Sequence, residues 1–592
     1  MTMRTILSVI LLCFLAVGND AKPMTVRPII GVLAQETGDK YTSNSYIIAS
    51  YVKWAEAAGA RVVPIKINEP DDYYETIFHR INGLLLPGGS IDIITSYHAK
   101  AAKKLYNMAL RANDDGDYFP IWGTCQGFQL LSALTAGENL LADRPYNGVS
   151  SLDFLSAFRE SRLFRNLPEN VYSALANEET TSNLHMYGLT PTNFSRNSAL
   201  KNFYREMSRN LDENGNVYIS SMEAINYPFY GVQFHPEKNV YNWDLRFVNN
   251  HDAHAIQVAH YFADFFIAEA RRSSHFFPTV DEEISAIINN DQPVYSEDTS
   301  FQDTYYYRFR GWWHKRQVTR IPQIATLLRH TSNGQRQQEP ELSPSSGINE
   351  RDEYYEDIFK RINGVLLPGG SVNVMTSYHA QAAKKLYKMA LKANDEGDHF
   401  PIWGTCQGLQ LLTALTAGEN LLAYRPYNGP LPITFKHDFR NSRLFQNIPD
   451  NVRRALANEN VTSNLHDYGL TPQNFSENCL LNTFYCVMST NFDRNGKEYI
   501  SSMEAVNYPF YGVQFHPEKN VYNWDLHFVN NHDAHAIQVA HYFADFFLAE
   551  ARQSYHSFPT VNEEVRALID NHQPVFSEDD TFQDIYYFNF RT

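Results

Sequence analysis

The sequence predicts an α/β fold carried twice, as two tandem doubly wound domains with mostly parallel sheets. Three observations lead there. Short apolar runs such as "INGLLLPGG" (81–89) and "YFPIWG" (118–123) alternate with helix-like stretches, "HAKAAKKLYNMALRAN" (98–113) and "QGFQLLSALTAG" (126–137). Strands of that composition belong in a parallel sheet covered on both faces. The same text then returns at a constant offset of 281 residues: "INGVLLPGGS" occupies 362–371, and "YPFYGVQFHPEKNVYNWDL" stands unchanged at 227–245 and 508–526. Finally, 592 residues suffice for two full cores, and the period is far too long for a solenoid repeat.

Copy 1 spans 27–310. It opens on "RPIIGVLAQE" (27–36), a strand with a polar exit; a helix over "SYIIASYVKWAEAAGA" (45–60) and a strand over "RVVPIKI" (61–67) follow. The strand-helix pairs quoted above come next, and a late strand, "YPFYGVQF", runs into "HPE". "HDAHAIQVAH" reads as one helix capped by Asn250 or Asp252, "HYFADFF" as core, and "DTYYYRFR" as a terminal strand or docked segment. Copy 2, 348–592, has no counterpart of the first β-α-β and joins the pattern at Ile348, the match of Ile67. Before it lies 311–347, whose Pro- and Ser-bearing second half reads as a linker, although 312–330 is long enough to supply a substitute element.

Composition narrows the function. A formal charge of −16 argues against a nucleic-acid partner, and no apolar run approaches the roughly 20 residues of a membrane span. Residues 1–18 have the look of a secretory signal: Arg4, an apolar stretch from Ile6 to Val17, and a small-residue cleavage site at Ala16-Val17-Gly18. Entry into the secretory pathway is therefore expected, and with it glycosylation at the sequons of Asn193, Asn460 and Asn474, taken to lie on surface loops. Of five cysteines, Cys13 lies in the signal, Cys125 and Cys406 in the repeated motif, and Cys479 and Cys486 either pair with each other or stay reduced. That is no disulfide framework.

The chemistry centres on "WGTCQG". A nucleophile at a strand-to-helix elbow is pushed up into a site by a tight turn, which requires small residues two before and two after: Gly123 and Gly127. The following helix sets its N-terminus against the sulfur and favours negative charge there. A thiolate needs a base and an orienting group, and "FHPE" supplies both. His235 and Glu237, two apart in extended chain, project to one side, so the glutamate accepts from one imidazole nitrogen while the other meets Cys125. Gly88 and Gly89 end a strand without side chains, so the N–H of Gly89 joins that of Gln126 as an oxyanion hole. The corresponding set in copy 2 is Cys406, His516 and Glu518, with Gly370 and Gln407. His251, His254 and His260 have tempting H-x-x-H spacing, but no Cys or Glu completes a ligand set, and no metal is expected.

"PGG", "GTCQG" and "FHPE", in that order, resemble the class I glutamine amidotransferase superfamily. With "PIIGVLAQE", "YIIASYVKWAEAAGARVVP", "SNLH" and "YGVQFHPEK", residues 27–310 resemble one of its families, the γ-glutamyl hydrolases, which trim poly-γ-glutamate tails from folates. The resemblance implies a cysteine hydrolase without cofactor, acting on a small polyanionic substrate in a lysosomal or extracellular setting. It also implies His185 and Lys238 as substrate-binding groups, with His466 and Lys519 as their counterparts.

A glutaminase feeding ammonia to a synthetase uses the same machinery, but neither copy carries a phosphate-binding glycine loop. Copy 2 is expected to be weakened or inactive, because losing the first β-α-β removes two strands beside the "PGG" strand and exposes a sheet edge. A homo-oligomer and pairing of the two copies as subunits are both open.

Overall fold

The structure, a computed structural model, describes residues 24–37, 44–244, 246–295, 303–309, 349–525, 528–572, 574–576, 584–586 and 588. The signal and the 311–347 linker, with the substitute element considered at 312–330, lie outside the described residues.

Copy 1 is organised by an eight-stranded sheet. Its strands are β1 (Ile29–Leu33), β2 (Arg61–Ile65), β3 (Gly83–Leu86), β4 (Ile121–Thr124), β5 (Asp153–Phe154), β6 (Tyr204–Leu211), β7 (Val217–Ala224) and β8 (Phe229–Val232), in the order β2-β1-β3-β4-β8-β7-β6-β5. The run from β2 to β8 is parallel and the rest antiparallel. Every residue of β1 to β4 and of β8 is buried, as apolar strands covered on both faces must be. Pro64 sits in the edge strand β2, where a missing N–H costs no ladder bond.

The helices that matter for the site are α1 (Ala49–Ala57), α2 (Tyr97–Asp114), α3 (Gln126–Ala136) and α4 (Ala253–Ala270). Helix α1 locks onto the sheet through Trp54, which packs on Trp122 at 5.6 Å and Phe266 at 6.5 Å, and whose indole N–H donates to the Ala259 carbonyl. Asp252, one of the two caps considered, caps α4 by accepting from the Ala255 N–H. The continuous helix expected over 45–60 is corrected: Asn44–Ile48 is a strand that pairs with Asp303–Arg308, and the helix begins at Ala49. Tyr46, Ile47 and Ile48 are strand formers, and with the terminal strand beside them they take the extended form.

Copy 2 repeats the fold without its start. Its strands are β9 (Val365–Leu367), β10 (Ile402–Thr405), β11 (Thr434–Phe435), β12 (Tyr485–Phe492), β13 (Glu498–Ala505) and β14 (Phe510–Val513), in the order β9-β10-β14-β13-β12-β11. Here β9 is an edge where β3 is internal, so Leu366 is 56% exposed while its counterpart Leu85 is fully buried. Among the described residues copy 1 has one continuous core, whereas the core of copy 2 falls into separate clusters without counterparts of β1, β2 and α1 to join them.

The copies meet through α4 and the matching helix α6 (Ala534–Ala551), which follows α5 (Gln407–Ala417) in copy 2. His260 stacks on His541 at 4.3 Å, and the same hydrogen bond is made in both directions, Arg271 to the His532 carbonyl and Arg552 to the His251 carbonyl. That reciprocity is the mark of a two-fold pairing. A groove of about 920 Å³ beside this contact is lined by His260, Asp264, His541 and Asp545 and by no cysteine, serine or threonine.

Candidate active site

Strand β4 ends at Thr124, and Cys125 joins it to α3 with φ 51° and ψ −105°. That left-handed backbone is unusual for a residue with a side chain and marks a strained elbow. The flanking glycines are required by contact: a Cβ on Gly123 would come within 2.6 Å of the Gly127 carbonyl carbon, and one on Gly127 would run into the Leu86 carbonyl at the end of β3. The elbow thus seats α3 directly on the strand that leads into "PGG". Cys125 Sγ donates to the Leu184 carbonyl at 3.6 Å and accepts from Gln233 Nε2 at 3.6 Å.

His235 follows β8 and is fixed by its N–H, which donates to the Ser182 carbonyl at 2.7 Å. Its Nδ1–H donates to Glu237 Oε1 at 2.8 Å, and its Nε2 is buried with no hydrogen-bond partner among the described residues. The route to this pair differs from the expected one. Glu237 is not in extended chain but in a turn, φ −66° and ψ −26°, opening the short helix Lys238–Tyr241; Pro236 and the turn bring the carboxylate back beneath the ring. Burial alone would depress the imidazole, but negative charge at Cys125 and at Glu237 overrides it and raises its pKa to about 9. Burial pushes Glu237 upward in turn, and His235 outweighs that and holds it below the usual carboxylate value.

Two residues beyond the sequence-derived set complete this arrangement. The Tyr51 hydroxyl, on α1, accepts from the Gly88 N–H at 2.8 Å and lies 3.2 Å from His235 Nδ1. It ties the glycine loop to the imidazole. Gln35 Nε2 reaches both the Pro87 carbonyl, at 3.4 Å, and Gln126 Oε1, at 3.3 Å. The signal for both was present in the sequence: each lies in the segment that copy 2 lacks.

The site opens into a cleft of about 950 Å³ that Gly89, Cys125, Gln126, His185, His235 and Lys238 all line. Glu237 lies behind His235 and is 1% exposed. His185 packs edge-on against Tyr218 at 4.8 Å; burial lowers its pKa to about 4, so the ring is neutral at physiological pH. Lys238 is buried, and desolvation lowers its pKa against the pull of Glu237 and Cys125. Among the described residues no group of three His, Cys, Asp or Glu side chains is placed to hold a metal. His251 stacks on Trp243 and His254 pairs with Glu178.

Copy 2 keeps the elbow, with Cys406 at φ 52° and ψ −106°, and the pair, with His516 Nδ1 2.6 Å from Glu518 Oε1. The His516 pKa is raised to about 10, since Glu518 and Cys406 outweigh burial. Gly370, Cys406, Gln407, His466 and His516 line a cleft of about 850 Å³; Lys519 is buried nearby, over the Phe528 ring. The support differs. Among the described residues none stands in for Tyr51 or Gln35, and the Glu518 side chain is 49% exposed. Gln407 Oε1 accepts instead from the Val372 N–H.

The remaining sites lie elsewhere. Asn193 and Asn474 sit in short helices rather than loops, their amides donating to the Leu140 and Leu421 carbonyls, while Asn460 is exposed. Cys479 and Cys486 are both unpaired and exposed.

Comparison with known proteins agrees with this geometry. Residues 28–237 match the family model Peptidase C26, and residues 335–535 match Glutamine amidotransferase class-I. Over 294 residues the chain is 43% identical to "Gamma-glutamyl hydrolase" of Homo sapiens, covering 49% of this chain and 91% of that protein. It is 42% identical over 289 residues to the protein of that name in Bos taurus, covering 48% and 90%. With "Gamma-glutamyl hydrolase B" of Dictyostelium discoideum the identity is 38% over 286 residues, covering 47% and 82%. A cysteine on a strained elbow, a histidine–glutamate pair beside it and relatives matched over nearly their whole length place this chain in the γ-glutamyl hydrolase family of cysteine peptidases.

Proposed function

We propose that copy 1 hydrolyses the γ-glutamyl bonds of folate poly-γ-glutamates through a thioester on Cys125. The observation that carries this is the buried Cys125–His235–Glu237 set at the floor of a cleft that also presents Lys238 and His185. The raised His235 favours an imidazolium beside the nucleophile at neutral pH. The thiolate attacks the γ-carbonyl carbon, and the carbonyl electrons move to oxygen, where the Gly89 and Gln126 N–H groups receive them. As the oxyanion collapses, the C–N bond breaks and His235 Nε2 hands its proton to the departing amine. Water then attacks the thioester while His235 takes one of its protons; the C–S bond breaks, the thiolate returns, and one water has been consumed per bond cut. Glu237 holds the ring and its charge throughout.

Lys238 and neutral His185 are assigned to the substrate's carboxylates, which an acidic protein cannot attract through its overall field. The reading extends to a secretory, lysosomal or extracellular location, supported by residues 1–18 and the exposed sequon at Asn460. The direct test is glutamate release from a folate bearing several γ-linked glutamates, with free glutamine as control. Release from the tail and none in Cys125→Ala is expected; hydrolysis of glutamine alone would overturn the assignment.

A further inference from the structure

The second cleft keeps the shape of the first and differs in charge at its rim. In copy 1 the charged residues lining it are Asp92, Glu213 and Lys238. In copy 2 they are Asp467 and Arg494: Asn373 replaces Asp92, Arg494 replaces Glu213, Asp467 replaces Met186, and Lys519, the match of Lys238, lies nearby without lining the cleft. The exchange of Glu213 for Arg494 reverses the charge at one position of the mouth. In copy 1 that carboxylate accepts from the Asn147 N–H; in copy 2 the guanidinium donates to the Asn428 carbonyl at 3.2 Å, which holds it at the rim. A guanidinium offers several N–H donors in a fork that fits carboxylates.

The catalytic support changes in the opposite direction. Cys406, His516 and His466 remain, but no tyrosine among the described residues clamps the glycine loop and Glu518 is half exposed. Such losses act on the transition state, where the oxyanion must be met by fixed donors, and leave ground-state binding largely intact. We infer that copy 2 is a second binding site for γ-linked glutamate chains, with Arg494 as a carboxylate-binding residue, which retains the chain without cutting it. This rests on the reading of copy 1 as a hydrolase of the same tails.

The test uses the full chain carrying Cys125→Ala and Cys406→Ala, titrated calorimetrically with γ-linked pentaglutamate, and with α-linked pentaglutamate as a control for simple polyanion binding. Two sites for the γ-linked probe are expected. Adding Arg494→Glu is expected to remove one of them, and Arg494→Gln to weaken that one about tenfold, with a reduced salt dependence. One site that neither Arg494 variant changes would overturn the inference, as would equal affinity of the second site for the α-linked control. Hydrolysis of the γ-linked probe by the Cys125→Ala single variant would also overturn it, by making copy 2 an enzyme. The wild-type chain separates the two readings: failure to cleave the γ-linked probe sinks the hydrolase reading itself, whereas cleavage with only one binding site sinks this inference alone.

Discussion

The two copies carry the same cysteine, histidine and glutamate on backbones that agree within a degree at the cysteine, φ 51° against 52°. They differ in what stands behind those groups. In copy 1 the carboxylate is sealed at 1% exposure and the glycine loop is tied to the imidazole by Tyr51; in copy 2 the carboxylate is 49% exposed and the loop follows the edge strand of the sheet formed by the described residues. The Cys-His-Glu set is thus a local feature of two short motifs, whereas its environment is delivered by an element more than thirty residues away in sequence. Duplication copied the first and lost the second.

The largest effect that could break this contrast is at the nucleophiles. Cys125→Ala should lower steady-state hydrolysis of a γ-linked tail by about 10³-fold or more, and Cys406→Ala by less than about twofold. Equal losses would mean that both sites work. Next comes the carboxylate. Glu237→Gln should cost about 10–100-fold in kcat, the range for a group that orients a catalytic base. It should also move the alkaline limb. His235 titrates at about 9 because negative neighbours favour its proton, so activity falls as pH rises through that value. Removing one negative neighbour lowers that pKa, and the limb shifts to lower pH; an unmoved limb would show that Glu237 does not set the imidazole's charge.

Tyr51→Phe removes only the hydroxyl that joins Gly88 to His235. About a tenfold loss in kcat with little change in KM is expected, since the effect falls on the oxyanion loop rather than on the bound ground state. Smallest in activity is Trp54→Ala. It should destabilise copy 1 by about 3–5 kcal/mol, visible as a lowered unfolding midpoint.

Much of this was legible in the sequence because the motifs are local. The G-x-C-x-G elbow places its cysteine through the close approach of Gly123 and Gly127, four residues apart, and strand-helix alternation sets a parallel sheet whatever the details of the helices. The His235–Glu237 contact was foreseen for the wrong reason: the spacing suggested extended chain, and a proline-bearing turn achieves the meeting instead. The strand at 44–48 was hidden because Tyr46, Ile47 and Ile48 also suit an amphipathic helix; pairing with residues 303–308, over 250 positions away, decides the matter. Tyr51 and Gln35 were missed for the same reason. Each acts across an interface between elements, and no spacing within one element reveals it.

The central claim is that only the supported cysteine turns over. Its most direct test is to mix the intact chain with a γ-linked glutamate tail, quench within the first turnover, and locate the acyl group by peptide mass spectrometry. The account predicts a γ-glutamyl thioester on the peptide containing Cys125 and none on that containing Cys406. Equal acylation of both cysteines would contradict it.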